Sequence, residues 1–207
     1  MTVHATTVIE GDVDLPWDVE IGAYCVLVGP LRVGKGARIG PHVVIGTDGE
    51  HRSAKFSGII TIGENTIIRE FSVIQRGTGE RDTRVGARCL LMDHAHIAHD
   101  VCLDDDVTLS PNVTLGGHTR VHRGATIGIG AMTHQCTTIG AYSMIGMGSV
   151  VTRDVPPFIL VMGNPARHIR ENTKGIEAAT RCALAAGSID YHAAFLADSR
   201  RKIARRG

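Results

Sequence analysis

A branched aliphatic residue recurs at every sixth position along most of this chain, and few folds accept that spacing. From Ile9 the steps fall on Leu15, Ile21, Leu27, Val33, Ile39 and Ile45. A second register holds Ile62, Ile68 and Ile74. A third runs from Val85 through Leu91, Ile97, Leu103, Leu109, Leu115, Val121, Ile127, Thr133, Ile139 and Ile145 to Val151, and Thr133 alone breaks the aliphatic rule. Small residues often follow the anchor, as in Ile21-Gly22 and Ile139-Gly140, where a corner needs backbone freedom. Six residues per side make a triangular coil of eighteen, each side a short parallel strand, with coils stacked about 4.8 Å apart. The spacing therefore predicts an all-β parallel β-helix of about seven coils around one aliphatic column, each coil stable because its neighbours cover it.

Composition fits a narrow, repetitive interior: aromatic residues are 4% and glycines number 25. A net charge of +1 gives no electrostatic reason to expect nucleic acid. No stretch approaches the length of a membrane span, and no basic-then-apolar leader opens the chain, so a cytoplasmic protein is expected. The five cysteines (Cys25, Cys89, Cys102, Cys136, Cys182) show no C-x-x-C spacing and read as free, buried thiols. Two segments interrupt the register: polar residues 47–61, read as a loop with a binding role, and the shorter 77–84. After Val151 the pattern is expected to end at Pro156-Pro157, which cannot continue a regular ladder. The β-helix is thus assigned to 1–171 and a helical extension of two short helices to 172–207, whose terminal basic cluster reads as a solvated helix end.

An eighteen-residue coil predicts which side chains share a face. From His99 it leads to Gly117 and Gln135; the adjoining columns hold Asp100 with His118, and Gly116 with His134. Three histidines, a carboxylate and a bare backbone, gathered within about 10 Å of height, form a candidate acyl-transfer site. Histidine titrates in the range required of a base that takes a hydroxyl or amine proton, and a backbone N–H stabilises the oxyanion. His4, His42, His51, His94, His122, His168 and His192 read instead as solvated surface residues.

The hexapeptide pattern resembles that of the left-handed β-helix transferases, and the resemblance supplies the handedness. Ala95-His96-Ile97-Ala98-His99-Asp100, Leu115-Gly116-Gly117-His118, His134-Gln135, Gln75-Arg76-Gly77-Thr78 and Asp154-Val155-Pro156-Pro157 are similar to motifs of the UDP-N-acetylglucosamine 3-O-acyltransferases of lipid A biosynthesis. That resemblance implies a homotrimer with a cleft between subunits, an acyl carrier protein or coenzyme A thioester as donor, a sugar-nucleotide acceptor and no separate cofactor or metal. It implies His99 as general base, Asp100 as its partner and Gly117 N–H as oxyanion donor. His96, His118, His134, Gln135, Lys55 and Asn172 would bind substrate, and Met144 and Met147 would line the acyl-chain groove. The chain departs from the family pattern at Pro165, at Ala178-Ala179 in place of a basic pair, and at Ser53 in place of an acidic residue. At Met147 a large side chain stands where glycine would leave a long groove. These departures imply a relative that uses a shorter chain. A second reading is a γ-class carbonic anhydrase-like zinc enzyme with three histidine ligands drawn from two subunits, for which His94 and His99 have a compatible ligand spacing.

Overall fold

A computed structural model describes residues 1–50 and 52–185. The strands form three sheets of ten, eight and seven, and every neighbouring pair is parallel except the last of the first sheet. Away from the loops, partners lie eighteen residues apart, as in Leu91↔Leu109, Leu109↔Ile127 and Ile127↔Ile145. Each strand is short because its period-two alternation sends the anchor inward, its predecessor outward and the residue before that inward again. The second inward position was not legible as a repeat, since it takes Val19, Cys25, Ala37, Thr66, Ala95, Thr119, Ala131 and Ser149 in turn, all fully buried or nearly so. Small side chains suit it because it lies beside the corner, where the three walls converge.

The aliphatic column is the core. Of the anchors predicted from the six-residue steps, Ile9 is exposed and Leu15 half-buried, because among the described residues no coil covers the outer side of the first. The remainder are buried. Leu115, fully buried between Ile97 and Thr133 in the second sheet, carries the turn that holds Gly116 and Gly117. Leu115→Ala is expected to cost about 2–5 kcal/mol of stability, since the rigid coils on either side cannot collapse into the void. Chemical denaturation of the two proteins checks this.

The stack is longer than the sequence repeat indicated. It begins at Thr2–Val3, before the first anchor, and Val155 bridges Ile139 immediately ahead of Pro156-Pro157. The prolines are accommodated because Val155 supplies both ladder groups: its N–H donates to Thr138 O and its carbonyl accepts from Gly140 N. Ile159–Met162 then extends the first sheet, and Arg167–Glu171 returns antiparallel against it. A helix spans Thr173–Ala185. The second predicted helix, the basic terminus, His51 and His192 lie outside the described residues.

Two expectations about single residues are corrected. Only Cys25 and Cys89 are buried, where burial pushes the Cys89 thiol up to about 11; Cys136 and Cys182 are exposed. His4, His42 and His94 are not merely solvated. With Tyr24 and Phe71 they form a ring column along the corner between the first and second sheets, with centroids 5.0–5.1 Å apart from Tyr24 to His94. The two loops disguise this column in the sequence by making its spacing unequal.

Candidate active site

The corner between the second and third sheets brings His99, Asp100, Gly117 and His118 together. Strand His96–Ile97 ends there, Asp100 turns the chain with φ of 61°, and Cys102–Leu103 begins the third sheet. One coil on, His118 occupies the same left-handed position, and its N–H donates to His99 O at 3.0 Å. This ladder bond brings His118 over Asp100. The His99 Nδ1 atom lies 2.7 Å from Asp100 Oδ2, and His118 Nε2 lies 3.7 Å from the same oxygen. The two imidazoles meet edge to face with centroids 5.1 Å apart. Asp100 is completely enclosed, His99 is 17% exposed and His118 33% exposed. An enclosed carboxylate is tenable only when partnered, and this one has donors on both oxygens.

Those on Oδ1 come from the shorter loop, residues 76–82: Thr78 N–H at 3.0 Å and Thr78 Oγ1 at 3.1 Å. The longer loop, residues 48–59, lies against His99 itself. Phe56 meets the imidazole edge-on at 5.7 Å, and a Cβ on Gly49 would stand 2.9 Å from His99 Cβ and Cδ2. Arg76, 16% exposed, joins the loop roots by donating to Gly29 O and Gly46 O at 2.8 Å, while Gly58 N donates to Gly77 O at 3.0 Å. The longer loop lies inside its predicted segment and the shorter one begins one residue earlier, at Arg76, and ends two residues sooner, because Thr47, Ile60 and Thr83 still pair in the ladder. Thr78 and Phe56 fall in stretches similar to family motifs, but neither was assigned a role from sequence, since looped residues leave the eighteen-residue register.

On its other side His99 faces bare backbone. A Cβ added to Gly117 would stand 2.8 Å from His99 Cε1 and Nε2, so only glycine lets the ring lie flat against this turn. The one polar interruption of the aliphatic column lies just beneath: Thr133 Oγ1 accepts from Gly116 N at 3.2 Å and pairs with Thr119 Oγ1 at 3.1 Å. The broken repeat thus marks a prop under the glycine turn. Gln135 and His134 are exposed one coil further on, with Gln135 N against Gly116 and His134 Nδ1 bonded to Gln135 O at 3.0 Å.

No protein-family model matches the sequence. The chain is 39% identical over 158 residues to the acyl-[acyl-carrier-protein]–UDP-N-acetylglucosamine O-acyltransferase of Gloeothece citriformis, which covers 74% of this chain and 56% of that protein. It is 40% identical over 151 residues to the protein of the same name from Sinorhizobium fredii, covering 71% and 56%. Among solved structures, the UDP-N-acetylglucosamine acyltransferase from Campylobacter jejuni superposes with a TM-score of 0.75 at 30% identity, covering 86% of this chain and 77% of that one. The Moraxella catarrhalis enzyme gives the same values. The chain belongs to the UDP-N-acetylglucosamine acyltransferase family. It spans little more than half the length of the curated relatives it matches. Its coils are left-handed, as in that family's β-helix.

The other residues expected from the family resemblance are dispersed in a single subunit. His96 is on the outer face of the second sheet, between Val73 and Thr114. Lys55 is exposed on the long loop beside Phe56. Asn172 precedes the helix and ties it to the last coils, donating from Nδ2 to Tyr142 O at 2.8 Å, while its carbonyl accepts from Ile176 N. Met144 lies on the first sheet, and Met147, 73% exposed, is at the corner between the first and second sheets. The width of the second sheet therefore separates Met147 from His99.

The zinc reading is not favoured by these relatives, which are acyltransferases. His94 is at the first corner, stacked on Phe71 and 3.3 Å from Asp93, whereas His99 is at the second. Among the described residues, the group whose donor atoms come within 4.8 Å of one another is His99, Asp100 and His118, and it omits His94.

Proposed function

We propose that this protein transfers an acyl group from an acyl thioester to a hydroxyl of UDP-N-acetylglucosamine or a close sugar-nucleotide relative, with His99 as general base. The observation that carries this reading is the 2.7 Å contact between His99 Nδ1 and the enclosed Asp100 carboxylate. A carboxylate there holds the proton on Nδ1, which leaves the Nε2 lone pair facing the Gly117 turn. His99 Nε2 takes the acceptor proton as the hydroxyl oxygen attacks the thioester carbonyl. The negative charge moves to the carbonyl oxygen, where Gly117 N–H, which donates to no group among the described residues, is the proposed donor. The C–S bond then breaks, and the departing thiolate recovers the proton from the imidazolium. No acyl-enzyme is needed, and the donor supplies the activated acyl group without a further cofactor.

His96, His118, His134, Gln135 and Lys55 are proposed to bind the acceptor on the same side of the coil. Asn172, held beside Tyr142 at the last coils, is proposed to join them across a subunit boundary. A homotrimer with clefts between β-helices supplies that boundary and also brings the first corner of one subunit toward the second corner of the next. Ile129, Met132 and Met147 are all exposed near that first corner, a surface suited to an acyl chain. The donor is an acyl carrier protein or coenzyme A thioester, and the site of action is the cytoplasm. No helix among the described residues is long and apolar enough to cross a membrane.

The direct test is thiol release from acyl donors, acetyl to tetradecanoyl on both carriers, with UDP-N-acetylglucosamine as acceptor. Acceptor-dependent release from at least one donor is the expected result, and none from any donor would defeat the proposal. Met147→Gly is expected to move the preferred chain to a longer one without changing which carrier is used. An unchanged preference would remove Met147 from the groove.

A further inference from the structure

We infer that Thr78 is a positioning residue for acyl transfer, acting on His99 through Asp100. The inference rests on His99 being the base, as proposed above. Asp100 is completely enclosed, and its two oxygens are used differently. Oδ1 accepts from the backbone N–H and the hydroxyl of Thr78, at 3.0 and 3.1 Å. Oδ2 faces His99 Nδ1 at 2.7 Å, with His118 Nε2 behind it at 3.7 Å.

Two imidazoles thus compete for one oxygen, and the plane of the carboxylate decides between them. Rotation about the Cβ–Cγ bond of an aspartate is soft and roughly two-fold. The two Thr78 donors converge on one oxygen and pin that rotation, so that Oδ2 is aimed at His99 rather than shared with His118. Thr78 is itself fixed from outside the coil. Ser57 Oγ of the long loop donates to Thr78 O at 3.4 Å, and Gly58 N donates to Gly77 O at 3.0 Å. The coil also supports the carboxylate's backbone, since Asp100 N donates to Thr83 Oγ1 at 3.0 Å. Aim of the base therefore comes from a loop, not from the repeat that delivers His99 and Asp100.

Thr78→Val removes the hydroxyl donor and keeps the shape; Thr78→Ser keeps the donor. A hydrogen bond to a charged group justifies an expected loss of about 10- to 100-fold in kcat for Thr78→Val. KM is expected to stay within about twofold, because substrate contacts are untouched. In nitrogen-15 histidine-labelled protein the His99 Nδ1–H resonance, identified by its absence in His99→Gln, is expected to move in Thr78→Val and return in Thr78→Ser. A merely structural role would lower the unfolding temperature and leave that resonance in place. Unchanged kcat together with an unmoved resonance would overturn the inference. If the wild-type protein transfers no acyl group, the functional proposal fails, while the resonance comparison still decides whether Thr78 aims the His99–Asp100 pair. Should Thr78→Val not fold, Thr78→Ala carries the same comparison.

Discussion

His99→Ala is expected to lower acyl transfer by about a thousandfold. The loss falls on kcat, since the imidazole is assigned the proton of the attacking hydroxyl rather than the anchoring of either substrate. Stability changes too. Removing the ring leaves the enclosed Asp100 with Thr78 on Oδ1 and only a distant His118 on Oδ2, at a cost of about 1–3 kcal/mol. Thermal unfolding measured beside the kinetics separates the two effects. A folded His99→Ala protein that retains more than a tenth of wild-type activity would remove His99 as the base.

Gly117→Ala is expected to cost about 100-fold in kcat while leaving the fold nearly as stable as before. The added Cβ would stand 2.8 Å from His99 Cε1 and Nε2, so the imidazole must shift away from the turn. The backbone N–H survives the substitution, so the loss reports the distance between the base and the oxyanion donor. Gly117 is not among the residues with positive φ, so alanine meets no backbone strain there. Gly116→Ala contrasts with it, because its Cβ would press on the backbone at Gln135 N, 2.7 Å away. That protein is expected to be destabilised. Equal activity in Gly117→Ala and wild type would show that the close approach of His99 to this turn has no role in the reaction.

Much of this was legible in the sequence because the fold is periodic. One aliphatic anchor per hexad gave the coil, and adding eighteen to His99 and Asp100 gave Gly117 and His118, which the structure does bring together. What escaped had left the period. Thr78 and Phe56 reach the His99–Asp100 pair from two loops whose residues obey no column arithmetic. The Tyr24–His42–Phe71–His94 ring column was hidden because the same loops fall between its members. Thr133 was visible as the broken hexad, yet its hydroxyl under Gly116 explains the break only once the coils are stacked. The antiparallel return of Arg167–Glu171 had no hexad to announce it, and Pro156-Pro157 seemed to end a stack that Ile159–Met162 carries past them.

The most direct test of the central claim is mass-spectrometric detection of O-acylated UDP-N-acetylglucosamine formed from acyl carrier protein thioesters, in wild type and His99→Ala side by side. An ester-linked product is expected with wild type, and about a thousandfold less with the variant. Equal product from both proteins, or none from the wild type with any thioester, would contradict the claim.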